Sequence, residues 1–209
     1  MRTLVIDYGS GNLQSAAKAL EAAGYDVRVG DDPRDAAGAE LLVLPGQGHF
    51  AQVAGNFRAS GFEGAVRAHV AKGKPFLGIC VGLQLLFEGS EEAPGVPGLG
   101  LLPGTVRRFQ ARKVPHMGWN TLEVASGPFA GFDGRHFYFV HSYYAPLTEG
   151  GVGVARYEGT AFTALYQKEN VVAPQFHPEK SSRAGLAFLK ALKRYFAEAV
   201  GSRSSGRTR

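Results

Sequence analysis

"GICVGLQLLF", residues 78 to 87, sets a cysteine between two glycines where an apolar, strand-like run gives way to a helical pattern. Glycines on both sides permit the sharp, strained strand-to-helix turn of a nucleophile elbow. The start of a helix beyond the turn places positive potential on the sulfur of Cys80. The segment therefore predicts a strand-turn-helix unit that presents a nucleophile. The alternative is a small buried hydrophobic residue beside two turn glycines.

A βα rhythm surrounds this segment in the first half of the chain. Apolar runs at residues 3–7, 25–29, 40–45 and 74–79 alternate with helical patterns. Asn12 can cap the first of these helices, whose apolar residues recur with helical spacing. Such alternation predicts an α/β fold with a mostly parallel open sheet flanked by helices.

Two more helical segments complete the pattern of the first half. A glycine-interrupted helical region is predicted over residues 50–72. The stretch "GLQLLFEG", residues 82–89, is predicted to open the helix that follows Cys80.

The second half of the chain is richer in strand-like runs. They predict antiparallel additions to the sheet, or an extension of it, at residues 105–109, 119–124, 136–145, 152–158, 162–167 and 170–176. Ser181 and Ser182 can cap a last helix. We expect one domain over residues 1–200 and a disordered basic tail over 201–209, since the tail is rich in Gly and Ser and lacks apolar residues.

Composition narrows the class of protein. The 209 residues are 44% hydrophobic and 20% charged, as in an ordinary globular protein. The lone cysteine allows no internal disulfide and no cysteine-based zinc site, which favours a cytoplasmic location. No apolar stretch approaches a membrane span, and the start does not resemble a signal peptide. The net charge of +5 includes three tail arginines, which leaves 5 − 3 = +2 for the remainder, so we expect no nucleic-acid partner.

His177 is the candidate base for Cys80. It follows the apolar run of residues 170–176, and Glu179 lies two residues later across a proline. In an extended segment residues i and i+2 point to the same side, so Glu179 can hold the imidazole in one tautomer. The alternative for "HPE" alone is a loop with a solvated Glu. We therefore predict a Cys-His-Glu triad from the elbow cysteine Cys80, from His177 in the second half of the sequence, and from Glu179.

"LPGQGHF", residues 44–50, supplies the third element of the predicted site. Elbow hydrolases take one oxyanion donor from the residue after the nucleophile, here Val81, and another from the loop after the third strand. Gly46 and Gly48 leave the backbone of this loop free to present N–H groups. The alternative is a plain glycine-rich turn.

Together, "GICVGLQLLF", "VAPQFHPEKS" and "LPGQG" resemble the class I glutamine amidotransferases. Within that class, "IDYGSGNLQS", "VPHMGWN" and "YFVHSYY" resemble the glutaminase subunits of imidazole glycerol phosphate synthases, which act in histidine biosynthesis. The resemblance covers nearly the whole chain except the tail. The motif around Gln47 departs from it, because the family usually has an apolar residue at that position.

The resemblance implies an activity and a set of residues. Cys80, His177 and Glu179 would hydrolyse L-glutamine through a cysteinyl thioester, without a metal or cofactor, and the N–H groups of Gln47 and Val81 would stabilise the oxyanion. The implied glutamine-binding residues are Gly46, Gly48, Gln84, Ser142 and Tyr143. The implied partner is a (β/α)8-barrel cyclase that receives the ammonia. The residues implied to face this partner are Asn12, Trp119, Asn120 and Lys180.

Several alternatives bear on this interpretation. Another small glutaminase subunit, such as that of pyridoxal phosphate synthase, would share the triad, but "PHMGWN" argues against it. A non-catalytic interaction module on the same fold is disfavoured by the intact triad residues. A dinucleotide fingerprint at Gly9 and Gly11 fails because Gln14 stands where the third glycine is needed, and no histidines have the spacing of a helical zinc pair.

Overall fold

The computed structural model describes residues 1–9 and 12–205. Within these residues the α-helices are α1 (Leu13–Ala22), α2 (Phe50–Ala59), α3 (Phe62–Ala71), α4 (Val81–Gln84) and α5 (Ser182–Ser205). The first six strands are β1 (Arg2–Ile6), β2 (Asp26–Gly30), β3 (Leu41–Gly46), β4 (Phe76–Cys80), β5 (Phe87–Ser90) and β6 (Leu102–Arg108). The remaining strands are β7 (His116–Thr121), β8 (His136–His141), β9 (Tyr143–Tyr144), β10 (Gly151–Tyr157), β11 (Thr160–Lys168) and β12 (Val171–Pro174).

The main sheet of the described residues has seven strands in the order β10-β11-β12-β4-β3-β1-β2. The pairs from β12 to β2 are parallel, whereas β10–β11 and β11–β12 are antiparallel. Every residue of β3 and β4 is buried, as expected for central strands covered on both faces. The predicted mostly parallel sheet with antiparallel additions in the second half is therefore confirmed.

Two smaller β-structures lie outside the main sheet in the described chain. Strands β5, β6 and β9 form one sheet, and β7 and β8 form an antiparallel hairpin. The hairpin pairs His116 with His141 and Trp119 with Tyr138. As a result, successive residues of β7 face alternately towards the protein and away from it.

Helix α1 forms as its sequence predicts. The side-chain oxygen of Asn12 accepts a hydrogen bond from the Ser15 N–H at 3.3 Å, which caps the helix. Ala16, Ala17 and Leu20 form its buried face. The helix ends before Gly24, whose φ of 86° lies in the left-handed region that favours glycine.

The predicted helix over residues 82–89 is wrong in length. Helix α4 ends at Gln84, and the chain then forms β5. This strand pairs with β6 at Ser90 and Val106 and buries Phe87 completely. Tertiary pairing has therefore overridden a local apolar pattern that fits either a helix or a strand.

The last helix enters the segment that was predicted as a tail. Helix α5 continues to Ser205, so residues 201–205 are helical, while residues 206–209 of the predicted tail lie outside the described residues. Extending an existing helix adds one hydrogen bond for each residue fixed, which offsets the low helix propensity of Gly and Ser. No helix in the described ranges is long and apolar enough to cross a membrane.

Candidate active site

Cys80 ends β4 in a strained backbone conformation. Its φ of 55° and ψ of −104° are unusual for a residue other than glycine, and such strain costs roughly 1–3 kcal/mol. A Cβ on Gly78 would lie 2.7 Å from the Gly82 carbonyl oxygen, and one on Gly82 would lie 2.2 Å from that of Leu44. Only glycines fit on either side of the turn, so the predicted strand-turn-helix elbow around Cys80 is present.

His177 reaches the same end of the sheet through β12. This strand runs parallel to β4, with Val171 opposite Phe76, so the segment after β12 emerges beside Cys80. The Nδ1 atom of His177 lies 2.7 Å from Oε1 of Glu179, and both side chains are buried. Glu179 lies in a single 3-10 turn, Pro178–Lys180, and not in the extended segment that was expected. The turn still brings the two side chains together.

A buried hydroxyl fixes the backbone of His177. The Oγ atom of Ser181 donates to the His177 carbonyl oxygen at 2.7 Å and accepts from the Tyr138 N–H at 2.9 Å. The His177 N–H in turn donates to the Tyr138 carbonyl oxygen at 2.9 Å. These three bonds tie His177 to β8, and hence hold the imidazole in place relative to Cys80.

The protonation state of His177 follows from its neighbours. Burial disfavours the charged imidazolium, but interactions with Cys80 and then with Glu179 outweigh burial and raise the pKa of His177 to about 10. These interactions favour the protonated ring. With Nδ1–H facing the carboxylate, the remaining proton on Nε2 is available for transfer.

The loop after β3 lies beside the elbow. Gly46 pairs with Cys80 across β3 and β4, and a Cβ on Gly46 would lie 2.5 Å from the Gly82 nitrogen. This close approach requires glycine and sets the Gln47–Gly48 backbone next to Val81. Gly48 has a φ of 113°, again a glycine conformation.

These elements surround a cavity of about 390 Å³. The predicted residues that line it are Gln47, Gly48, Cys80, Val81, Gln84, Ser142, Tyr143, His177 and Lys180. Gly46, expected to bind glutamine, is buried under the elbow and does not belong to this lining. The lining residues that the sequence did not single out are Glu92, Pro115, Val140 and His141.

Gln84 links the cavity wall to the sulfur of Cys80. Its Nε2 atom donates to the Tyr143 carbonyl oxygen at 2.8 Å and to Oε1 of Gln175 at 3.2 Å. The Nε2 atom of Gln175 donates to Sγ of Cys80 at 3.5 Å. Gln84 is 2% exposed, so the side chain belongs to the interior network and not to the outer helix surface.

Glu92 contributes a carboxylate to the cavity. Its Oε2 atom accepts from the Phe50 N–H at 2.8 Å, at the start of α2. No ion pair involves Glu92 in the part of the chain that the structure describes. No sequence pattern pointed to this residue, because it lies in a Pro/Gly-rich loop directly after another Glu.

Strand β7 exposes two large hydrophobic side chains. Trp119 and Met117 on β7 are 53% and 59% exposed. Asn120, the next residue, donates its side-chain amide to the Arg156 carbonyl oxygen at 2.9 Å, so it faces the protein, opposite to Trp119. Lys180 is half-buried at the cavity.

Asn12 is exposed at the start of α1, which packs beside the Pro178–Lys180 turn. Over residues 1–9 and 12–205, no group of three His, Cys, Asp or Glu side chains could hold a metal ion.

Comparisons with known proteins agree with this geometry. The family described as Glutamine amidotransferase class-I matches residues 4–192. Imidazole glycerol phosphate synthase subunit HisH of Thermus thermophilus is 65% identical over 94% of this chain and 98% of its own length. Imidazole glycerol phosphate synthase hisHF of Emericella nidulans is 41% identical over 90% of this chain and 37% of its own length. A solved structure described as glutamine amidotransferase superimposes with a TM-score of 0.72 at 26% identity, over 95% of this chain and 98% of its own.

Proposed function

Because this chain belongs to the class I glutamine amidotransferase family, we propose that it is the glutaminase subunit of an imidazole glycerol phosphate synthase. It hydrolyses L-glutamine to glutamate and ammonia and so serves histidine biosynthesis. The observation that carries the glutaminase activity is the strained elbow cysteine beside the buried His177–Glu179 pair at the wall of one cavity, and the 65% identity to a HisH subunit supports the particular synthase. A non-catalytic module would have no use for a backbone strained at the nucleophile.

In the first half-reaction, the sulfur of Cys80 attacks the side-chain amide carbon of glutamine. The carbonyl oxygen becomes an oxyanion, which the N–H groups of Val81 and Gln47 stabilise. His177 gives its Nε2 proton to the departing nitrogen, so ammonia leaves and a glutamyl thioester remains. Glu179 keeps the ring oriented and favours its charged form.

In the second half-reaction, water hydrolyses the thioester. The neutral His177 left by the first step takes a proton from the water as its oxygen attacks the thioester carbon. The carbon–sulfur bond then breaks, glutamate is released, and Cys80 and His177 regain their starting proton. The buried position of both side chains limits competing reactions with bulk water.

The cavity also supplies groups for the amino-acid end of the substrate. Gly48, Ser142 and Tyr143 offer backbone groups, and Gln84 fixes the Tyr143 carbonyl. The carboxylate of Glu92 complements the positive α-amino group of glutamine. We assign Glu92 to substrate binding on this complementarity. Its Oε2 atom is held by the Phe50 N–H at the start of α2, which keeps the carboxylate at the cavity.

Glu92→Gln is expected to raise the KM for glutamine about tenfold, because it removes a charge-assisted hydrogen bond and retains the bond to Phe50. The effect on kcat is expected to be small, since Glu92 does not contact the reacting amide. Steady-state kinetics of glutamate release would measure both constants. Glu91→Gln is the matched control, because Glu91 also accepts a backbone N–H, that of Arg108, but does not line the cavity. An unchanged KM in Glu92→Gln would contradict the assignment.

The ammonia passes to a (β/α)8-barrel cyclase subunit. In bulk water at neutral pH ammonia would be protonated and lose its nucleophilic lone pair, so a sealed route to the acceptor is needed. The exposed pair Met117 and Trp119, on the strand that directly follows Pro115 of the cavity lining, gives such a partner an apolar anchor. Asn12 and Lys180 extend this face. Asn120 supports it from behind, through its bond to the Arg156 carbonyl. The fused relative from Emericella nidulans carries a matching segment within a longer chain, which fits a function that requires both parts.

The decisive test mixes this chain with the cyclase subunit of the same organism. We expect glutamate release from L-glutamine, a stable complex by size-exclusion chromatography, and formation of imidazole glycerol phosphate from glutamine when the cyclase substrate is present.

Trp119→Ala is expected to weaken the complex by about 2 kcal/mol or more, as truncation of a buried aromatic anchor does. Binding to a pyridoxal phosphate synthase subunit, and not to the cyclase, would overturn the assignment.

A further inference from the structure

The β7–β8 hairpin contains two buried histidines that the proposed mechanism does not use. His116 on β7 and His141 at the end of β8 are 3% and 6% exposed. They are opposite each other in the hairpin, and Nδ1 of His116 lies 3.0 Å from Nε2 of His141. His141 also lines the cavity. Buried imidazoles in direct contact need a specific arrangement of protons, and the neighbouring groups define it.

The partners at the two ends of the pair fix its protons. The Nδ1 atom of His141 lies 2.8 Å from the Tyr143 carbonyl oxygen, which only accepts, so Nδ1 carries the hydrogen. In the neutral ring, Nε2 of His141 then accepts from Nδ1–H of His116. At the other end, Nε2 of His116 lies 3.2 Å from Nδ2 of Asn120, which is a donor and also bonds the Arg156 carbonyl oxygen. All three hydrogen bonds therefore run in one direction, from Asn120 to Tyr143.

The environment keeps both rings neutral and in place. Burial lowers the pKa of His116 to about 4. Burial also lowers the pKa of His141, to about 3, and outweighs the hydrogen bond to Tyr143. The ring of His116 stacks on Phe139 and Tyr157, with centroid distances of 5.0 and 4.2 Å. The two neutral rings therefore form a fixed series of hydrogen bonds near neutral pH.

This series of hydrogen bonds ends at the Tyr143 carbonyl oxygen, and Tyr143 lines the cavity. The Tyr143 carbonyl oxygen accepts a second hydrogen bond, from Nε2 of Gln84 at 2.8 Å. It is therefore held from two sides, by the residues after the elbow and by the histidine pair. Ser142 and Tyr143 line the cavity, so the position of this carbonyl determines where their backbone meets the substrate.

We propose that His116 and His141 are positioning residues, a pair of neutral imidazoles that holds the Ser142–Tyr143 backbone in the geometry that binds glutamine. The inference rests on the proposed glutaminase function. Every ring nitrogen of the pair is engaged, so neither histidine exchanges protons with the substrate. The pair therefore acts on substrate binding more than on the chemical step.

His116→Phe tests the pair, because it keeps the ring that stacks on Phe139 and Tyr157 but removes the donor to His141. In the full complex with the cyclase, the KM for L-glutamine is expected to rise about tenfold, as for loss of a buried hydrogen-bond donor. The change in kcat is expected to be less than about threefold, since uniform binding is lost. The matched control is His69→Phe. His69 is also buried and bonds the Pro75 carbonyl oxygen at 2.9 Å, but it lies on α3 and does not line the cavity.

A second series at position 141 guards against a variant that fails to fold. His141→Asn carries an amide nitrogen where Nδ1 stood and can still donate to the Tyr143 carbonyl, whereas His141→Leu cannot. The KM is expected to increase in the order wild type, His141→Asn, His141→Leu. Thermal unfolding of each variant sets an assay temperature at which all are folded.

The outcomes distinguish the positioning role of the histidine pair from the proposed glutaminase function. An active wild type with an unchanged KM in His116→Phe, or with equal KM values in His141→Asn and His141→Leu, overturns the positioning role and leaves the proposed function intact. A wild-type complex without glutaminase activity overturns the proposed function, and the inference with it.

Discussion

Cys80→Ser is expected to abolish glutamine-dependent turnover while the complex still works with added ammonium. The sulfur is the only nucleophile of the proposed triad, and the loss of such a group lowers turnover by about 10⁴-fold or more. The cyclase needs only ammonia, so its own reaction should persist. The substitution changes one atom at a buried position, and we therefore expect the fold to be retained. Parallel assays with glutamine and with ammonium, on the same preparation, would measure the difference.

The lone cysteine gives this experiment a clean control. Cys80 is the only thiol in the chain, so a thiol-reactive glutamine analogue can label a single position. Mass spectrometry should find one adduct on the wild type and none on Cys80→Ser. If Cys80→Ser kept glutaminase turnover within about tenfold of wild type, far from the loss expected for a triad nucleophile, the cysteine would be structural.

His177→Asn is expected to lower glutaminase turnover nearly as far as Cys80→Ser, because the two side chains act in the same steps. Glu179→Gln is expected to cost less, since it removes orientation and charge but not the proton carrier. A double variant of Cys80 and His177 should be little worse than either single one. Single-turnover measurement of thioester formation would check this, and additive losses would mean that the two residues do not share a step.

The same pair predicts a change in pH dependence. Glu179 helps to raise the pKa of His177 to about 10, so its replacement by Gln lowers this pKa. Proton donation to the departing ammonia requires the charged ring, and activity falls as the pH rises through the pKa. The alkaline limb of the kcat/KM profile, which reports groups of the free enzyme, should therefore move to lower pH in Glu179→Gln. A limb that stays in place would mean that His177 does not supply this proton.

The local features of the fold and site were readable from the sequence. The alternation of apolar runs and helical patterns identified the parallel sheet, because strand and helix periodicities are properties of short segments. The elbow was predictable because part of its requirement for glycine is local: a Cβ on Gly78 would lie 2.7 Å from the Gly82 carbonyl oxygen. His177 and Glu179 were found because their spacing is local.

Features that depend on distant parts of the chain were not readable. The strand β5 replaces a predicted helix because it pairs with β6. Glu92 joins the cavity only because its loop folds back onto the start of α2. The His116–His141 contact spans a hairpin, and the inward orientation of Asn120 depends on the Arg156 carbonyl of β10. No local pattern encodes such contacts, since each one joins segments that are distant in the sequence.

The position of β12 has a consequence for the newly made protein. In the sheet β12 lies between β4 and β11, so the strand that leads to His177 is added beside a strand made much earlier. Synthesis proceeds from the N-terminus, and while the ribosome has produced only the first half, β4 is an unpaired edge. Such a nascent chain carries Cys80 without His177, its proposed acid–base partner. The emerging polypeptide is therefore expected not to hydrolyse glutamine until Glu179 has been translated and has folded onto the sheet.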